Sequence, residues 1–119
     1  MKKLITVFFV ILILINCLCS CNFVKKPLDN RIGFSKYLKE TEGYIRGEEW
    51  EKAQMGLDTA AEKWKKIKLI LQVDIDHDYI NDIENNFILL KAYIETKEKP
   101  DSLSLILLIQ QDWETIGEM

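Results

Sequence analysis

The chain has 119 residues, of which 48% are hydrophobic and 29% are charged, and its formal net charge is −3. This composition excludes an intrinsically disordered protein, and the length allows one hydrophobic core together with a short targeting segment. An acidic surface repels the phosphate backbone, which argues against nucleic acid as a partner, and the scarcity of glycine and proline favours helix over sheet.

The first twenty residues have the features of a signal peptide or membrane anchor. Lys2 and Lys3 precede an apolar run from position 4 to 15 that only Thr6 interrupts, which is typical of a signal sequence. Counted on to Cys19, the run has about sixteen residues, fewer than the roughly twenty of most transmembrane helices. Because both lysines stay in the cytoplasm, we expect the rest of the chain at the extracytoplasmic face of the cell membrane.

The segment Leu18-Cys19-Ser20-Cys21 resembles the lipobox of bacterial lipoproteins, although Cys19 stands where that pattern usually has Ala, Ser, Thr or Val. The resemblance implies that diacylglycerol is attached to the Cys21 thiol and that the chain is cleaved before it. The alternative is an uncut signal anchor in which the cysteines are small, apolar-tolerant side chains. Under either hypothesis, residues 21–30 form a linker and residues 31–119 form a helical extracytoplasmic domain.

Two helices are predicted after the linker, because apolar residues recur every three or four positions. The first stripe consists of Phe34, Leu38, Thr41 and Ile45, and the second of Trp50, Ala53, Leu57, Ala60, Trp64, Ile67 and Leu71. Gly47 supplies a helix-ending glycine between them, and so short a connection requires an antiparallel hairpin. This hairpin resembles one tetratricopeptide unit. No second copy follows at about thirty-four residues, so a solenoid is disfavoured.

A third helix is predicted from about Asp76 to Lys97 and a fourth from Leu103 to about Ile116. The third carries a stripe of Ile80, Ile83, Phe87, Leu90 and Ile94. Pro100, Asp101 and Ser102 are expected to end the third helix and to cap the fourth. Four helices with short connections predict an all-α fold, most simply an antiparallel, up-and-down four-helix bundle.

These helical patterns resemble a family of small, N-terminally membrane-anchored proteins of unknown function from Gram-positive, often spore-forming, bacteria. The matching residues are Trp50, Ala53, Leu57, Trp64, Lys65, Asp76, His77, Ile80, Ile83, Tyr93 and Ile94. The resemblance implies an N-terminal anchor followed by a helical extracytoplasmic domain. It implies no activity, because none is assigned to the family.

The cluster of Asp74, Asp76, His77 and Asp78 has the character of a metal site. It matches part of a calcium-binding loop, but that loop requires a glycine at its sixth position and a glutamate at its twelfth, where this chain has Tyr79 and Asn85. The alternative is an acidic turn whose aspartates cap the third helix, and this interpretation is preferred.

Other candidate sites have simpler structural explanations. A catalytic triad would depend on His77, the only histidine, and the glutamates fall on solvent-facing sides of helices, so no enzymatic activity and no cofactor are expected. Trp50, Trp64 and Trp113 could form an aromatic box, but the first two lie on the core stripe. A further group, Lys63, Lys65, Lys66 and Lys68, forms a basic patch that could contact anionic lipid or wall polymer, although an exposed lysine-rich face is the simpler interpretation.

The fourth helix is apolar around most of its circumference. Its apolar residues are Leu103, Leu105, Ile106, Leu107, Leu108 and Ile109. Only one stripe of a bundle helix faces the core, so the surplus around Leu105 and Leu108 predicts a surface for an envelope protein or for a second copy of the chain. The sequence therefore predicts a membrane-tethered structural or interaction module, with an envelope ligand- or metal-binding protein as the alternative.

Overall fold

The computed structural model describes residues 1–17, 28–71 and 77–118, and within them all regular structure is helical. The helices are α1 (Lys2–Cys17), α2 (residues 28–32), α3 (Phe34–Arg46), α4 (Trp50–Leu71), α5 (His77–Glu95) and α6 (Lys99–Glu118). No strand occurs in these three ranges. The predicted all-α fold class is confirmed.

Helix α1 carries the apolar run of the N-terminus. Its only charged residues are Lys2 and Lys3, and its side chains from Leu4 to Ile13 are all exposed. Among the helices that the structure describes, none combines the length and hydropathy needed to cross a membrane. Cys19 and Cys21 lie outside the described residues, so the structure does not test the predicted lipid attachment.

Helices α3 to α6 share one hydrophobic core. Helix α3 packs against α4 and α6, and α5 packs against the same two helices. The stripes predicted for α3 and α5 are buried, as are five of the seven stripe residues in α4; Trp50 and Leu71 pack against the core but are only partly buried. Leu28 and Ile32 of α2 also pack against this core, so residues 28–30, which the sequence placed in the linker, lie within the folded body.

Both hairpin turns have the same backbone structure. After α3, the amide of Glu49 donates to the carbonyl of Tyr44 at 2.9 Å and that of Glu48 donates to Ile45 at 3.0 Å. After α5, the amides of Glu98 and Lys97 make the equivalent bonds to Tyr93 and Ile94 at 2.9 and 3.1 Å. These paired bonds define a Schellman motif, whose penultimate residue adopts a left-handed conformation.

The residues in that left-handed conformation are Glu48, with φ of 55°, and Lys97, with φ of 58°. Gly47 was predicted to end the first helix, and it does occupy the C-cap. Its φ of −83° is nevertheless ordinary for any residue. The strained position is one residue later, so glycine's conformational freedom is not used at either turn.

The start of α6 differs from the prediction. The helix begins at Lys99, four residues before the predicted Leu103, and Pro100 lies in its first turn. Proline is tolerated there because its missing amide hydrogen would have no partner within the helix. Ser102 is therefore inside the helix rather than at its cap; it is fully buried, and its amide donates to the carbonyl of Glu98 at 3.0 Å.

The two hairpins repeat each other with a constant spacing of 49 residues, as Glu48 and Lys97 show. The same spacing relates buried residues throughout the core: Phe34 to Ile83, Leu38 to Phe87, Thr41 to Leu90, Ile45 to Ile94, Ala53 to Ser102, Leu57 to Ile106, Ala60 to Ile109, Trp64 to Trp113 and Ile67 to Ile116. Trp64 and Trp113 are thus each other's equivalents, and their rings meet at 6.2 Å between centroids. The body consists of two copies of one helical hairpin, although no repeat was found at the tetratricopeptide spacing.

Candidate interaction surfaces

The predicted metal site is only partly within the described residues. His77 and Asp78 lie in the first turn of α5 and both are exposed, whereas Asp74 and Asp76 fall outside the described ranges. Within those ranges, no three histidine, cysteine, aspartate or glutamate side chains are arranged to hold a metal ion. The four-residue site therefore stays a prediction.

The aromatic residues form the centre of the core. Helices α3 to α6 contribute one ring each: Phe34, Trp64, Phe87 and Trp113. Phe34 lies 5.1 Å from Trp113, 5.6 Å from Trp64 and 6.2 Å from Phe87, measured between ring centroids. Trp64 and Trp113 are each only 2% exposed, so they pack in the core and do not form an aromatic box for a ligand.

Asp29 links the start of the folded body to α6. Its carboxylate accepts hydrogen bonds from the Ser35 amide at 2.9 Å, from the Ser35 hydroxyl, and from Trp113 Nε1 at 3.3 Å. Gly33, with φ of 84°, turns the chain between α2 and α3 so that Asp29 can reach Ser35. The sequence did not predict this contact, because no local spacing rule relates residues on either side of such a turn.

A groove runs along the outer side of the first hairpin, with a volume of about 180 Å³. Residues from α3 and α4 line it: Tyr37, Glu40, Tyr44, Lys52, Met55, Gly56 and Thr59. Lysine ammonium groups lie near both tyrosine rings, with Lys52 5.9 Å from the Tyr44 centroid and Lys63 5.8 Å from the Tyr37 centroid. The groove thus has an aromatic wall and a positively charged margin.

Gly56 lines this groove and lies where α3 and α4 approach each other closely. A Cβ atom at position 56 would lie 2.6 Å from the Thr41 hydroxyl oxygen, which is far inside van der Waals contact. The Thr41 hydroxyl already donates to the carbonyl of Tyr37 at 2.7 Å, which holds it at the helix interface. Neither the role of Gly56 nor the groove was predicted. The sequence alone does not show whether a glycine within a helix lies at a close contact with another helix.

The outer side of the second hairpin is apolar, and we call it the ridge. By the 49-residue equivalence to the groove, it consists of Leu89 from α5 and Leu105 and Leu108 from α6, with Asp101 and Asp112 at its ends. Leu108 is 45% exposed and Leu89 49% exposed, whereas Leu105 is half-buried and packs against the core. Of the two predicted surface leucines, Leu108 is therefore the more accessible.

The aspartates beside the ridge do not pair with lysine in the contacts that the structure shows. Asp112 accepts a hydrogen bond from the Asn86 amide at 3.4 Å, which connects α6 to α5. Partial burial, and secondly the negative charge of Asp82, raise the pKa of the Asp112 carboxyl, while the hydrogen bond from Asn86 opposes this shift. This end of the ridge therefore brings the carboxyl groups of Asp82 and Asp112 close together.

The lysines of the predicted basic patch do not act as one surface. Lys68 forms an ion pair with Glu84 at 2.5 Å, and Glu84 also accepts a hydrogen bond from Trp64 Nε1 at 3.4 Å, so Lys68 connects α4 to α5. Lys63 instead faces the Tyr37 ring at the groove. Of the four, Lys65 and Lys66 are exposed, and Lys63 and Lys68 are partly buried.

Comparison with known proteins identifies a family whose function is unknown. The family model described as a domain of unknown function, DUF4363, matches residues 29–119. The match begins at the residue that links α2, α3 and α6. No curated protein and no solved structure matches the chain.

Proposed function

The chain belongs to the DUF4363 family of unknown function, and from this membership and the surfaces above we propose that it is a membrane-tethered extracytoplasmic interaction module. In this proposal, the N-terminus holds the protein at the outer face of the cytoplasmic membrane. The helical domain binds other proteins through its outer surfaces and carries out no chemistry.

The exposure of the apolar side chains of helix α1 is the observation that carries the proposal. Leu4 is 79% exposed, Phe8 65% and Ile13 59%; Leu4 and Phe8 lie on one side of the helix and Ile13 on the opposite side. An apolar helix without a covered side is stable only when lipid or protein surrounds it. Lys2 and Lys3 at its beginning support an orientation with the amino terminus in the cytoplasm.

Two forms of the tether are compatible with the sequence. If the chain is cleaved before Cys21, acyl chains on that cysteine hold it, and each buried methylene contributes about 0.8 kcal/mol. If the chain is not cleaved, α1 itself remains in the membrane.

We propose that the domain beyond the tether is an antiparallel, up-and-down four-helix bundle with a tetratricopeptide-like first hairpin. The two short Schellman turns support this, since each joins helices that pack together. In this arrangement, both turns lie at one end of the bundle. The start of α3 lies at the other end, towards the tether.

Interaction is favoured over catalysis by the distribution of polar groups. Among the described residues, the buried side chains are apolar apart from Thr41 and Ser102, and none of them is acidic or basic. Large apolar side chains instead remain on the outside of α5 and α6, with Ile88 69% exposed and Leu107 44% exposed. Surfaces of this kind are typical of proteins that bind partners.

Fractionation of cells that express the full chain tests the tether. We expect the protein in the membrane pellet after a high-salt wash, because the attachment is apolar rather than ionic. Mass spectrometry of the N-terminus distinguishes an acylated Cys21 from an intact Met1. Chain recovered from the soluble fraction would contradict the proposal.

Replacing Val10 by lysine provides a variant for the same experiment, with Lys39→Glu as a control on the exposed side of α3. Val10→Lys places a charge in the middle of α1 and should release or destabilise the membrane-bound form, at a cost on the order of 3 kcal/mol. Lys39→Glu should leave the distribution unchanged.

A further inference from the structure

The groove and the ridge occupy equivalent places on the two hairpins. Along α4 the positions are Lys52, Gly56, Thr59 and Lys63, and the residues 49 positions later in α6 are Asp101, Leu105, Leu108 and Asp112. The contact between Tyr37 and Lys63 in the first hairpin likewise recurs as the contact between Asn86 and Asp112 in the second. The two outer sides therefore place different side chains at equivalent positions.

The side chains at the middle two of these equivalent positions differ in size, being small in the first hairpin and large in the second. Where the first hairpin has Gly56 in the lining of the groove, the second has the larger Leu105, which packs against the core. Where the first hairpin has Thr59 at the rim, the second has the exposed Leu108. One hairpin thus offers a depression and the other an apolar projection.

The charges at the margins are also opposite. Lys52 and Lys63 stand at both ends of the groove stripe, whereas Asp101 and Asp112 stand at both ends of the ridge stripe. Lys52 is paired with Glu49 at 3.1 Å, but both side chains are about half exposed or more, so this pair is weak and can exchange partners. Glu40 in the groove is similarly engaged with Lys36 at 3.9 Å.

From this complementarity we propose that the ridge of one copy of the chain docks into the groove of the next copy. In the docked pair, Leu108 enters the groove beside Gly56 and Thr59, and the flanking aspartates face the lysines of the groove. The occupant of each surface is a second copy, because both the shape and the charge of the groove are matched by another part of the same chain.

Such a contact is heterologous, since it joins two different surfaces. In a docked pair, the copy that contributes its ridge keeps a free groove, and the other copy keeps a free ridge. Repetition of the contact therefore builds a row rather than a closed dimer. The groove and the ridge lie on opposite outer sides of the body, because the buried stripes of the two hairpins face each other.

This inference rests on the proposed function only for the role of the tether. With both hairpin turns at one end of the bundle, side-by-side copies keep their N-termini at the same end. All copies in a row can then be attached to one membrane, and attachment raises their effective concentration. The contact itself does not require the membrane and can be tested without it.

Charge reversal on each surface tests the proposal with the full chain in detergent micelles. The groove-reversed variant is Lys52→Glu with Lys63→Glu. The ridge-reversed variant is Asp101→Lys with Asp112→Lys, which places lysine at the two positions equivalent to Lys52 and Lys63 of the first hairpin. Lys39→Glu with Lys65→Glu is the control for the groove, because it makes the same change of charge at exposed positions off the groove stripe.

Sedimentation velocity over a concentration series should show wild-type species larger than a dimer. Each reversed variant alone should associate at least tenfold more weakly, because like charges then face each other. An equimolar mixture of the two variants should recover the wild-type association, since each contact again joins opposite charges. The control variant should behave as the wild type.

Three results would overturn the proposal: a wild-type chain that stays monomeric, a groove-reversed variant that associates normally, or a mixture that shows no recovery. The second result would indicate a symmetric contact between two ridges. Leu108→Glu should also abolish association, whereas Ile88→Glu, on the other side of α5, should not. None of these results depends on membrane attachment, so they are independent of the fractionation experiment.

Discussion

Two residues hold backbone conformations that their side chains disfavour. Glu48 and Lys97 adopt left-handed φ angles of 55° and 58°, at positions where most proteins have glycine. A side chain in this conformation costs about 1–2 kcal/mol. These left-handed positions could not be predicted from the sequence. Gly47 lies one position before the first of them, and no glycine marks the second turn.

Lys97→Gly should therefore stabilise the domain. Relief of the backbone strain exceeds the extra entropy that glycine loses on folding, so we expect the free energy of unfolding to rise by about 0.5–1 kcal/mol. Urea denaturation of the detergent-solubilised full chain measures this change. Lys91→Gly, in the middle of α5, is the control and should instead lower the stability by a similar amount. Equal losses in both variants would show that Lys97 is not strained.

The Asp112 carboxyl makes the stability of the fold depend on pH. Its pKa is raised by burial and by Asp82, so the folded state disfavours the charged carboxylate. This penalty is present above the raised pKa and disappears as the pH falls through it.

Asp112→Asn should accordingly be more stable than the wild type at pH 7, and the difference should vanish in acid. Asparagine keeps an oxygen that can accept the hydrogen bond from Asn86. Thermal denaturation at a series of pH values measures the difference. Asp58→Asn on the exposed side of α4 is the control, and a variant that is less stable than the wild type at pH 7 would contradict the assignment.

The individual helices were largely predictable from sequence. The stripes of α3, α4 and α5 repeat every three or four residues, and this period follows from helix geometry alone. Buried residues such as Leu38, Leu57 and Leu90 could be assigned in this way. The beginning of α6 could not, because Pro100 is compatible both with the end of one helix and with the first turn of the next.

Contacts between helices were not predictable, and the Asp29 contact illustrates the reason. Asp29 lies 84 residues from Trp113, and no periodic pattern relates two positions so far apart. The groove escaped prediction for a similar reason, since Gly56 and Thr41 meet only when α3 and α4 are packed. The equivalence of groove and ridge appears only when the two hairpins are aligned by their turns.

Removal of the Asp29 carboxylate should weaken the attachment of α2 and α3 to α6. Asp29→Ala leaves the Ser35 amide without its partner, although Trp113 Nε1 keeps its bond to the Ser35 hydroxyl at 2.9 Å. We expect a loss of about 1–3 kcal/mol in the free energy of unfolding. Asp58→Ala, whose carboxylate has only a long hydrogen bond to Gln54 at 3.4 Å, should cost little. Equal stability of the two variants would contradict the role of Asp29.

The two halves of the folded body share their turn structure and their buried positions but have different outer sides. A repeated hairpin explains how a chain of this length builds a core from four helices, because each hairpin covers the apolar stripe of the other. The stability of the body depends on the buried positions that the two halves share. Its proposed interactions depend on where they differ, at Gly56 and Leu105 above all.

If α1 tethers an outward-facing helical domain, an impermeant protease should reach that domain from outside the cell. Spheroplasts that express the full chain with a C-terminal epitope are treated with an impermeant protease, and the epitope is followed by immunoblotting. We expect the epitope to be lost from intact spheroplasts while a cytoplasmic marker protein survives. An epitope that is protected until the membrane is lysed would place the domain in the cytoplasm and contradict the claim.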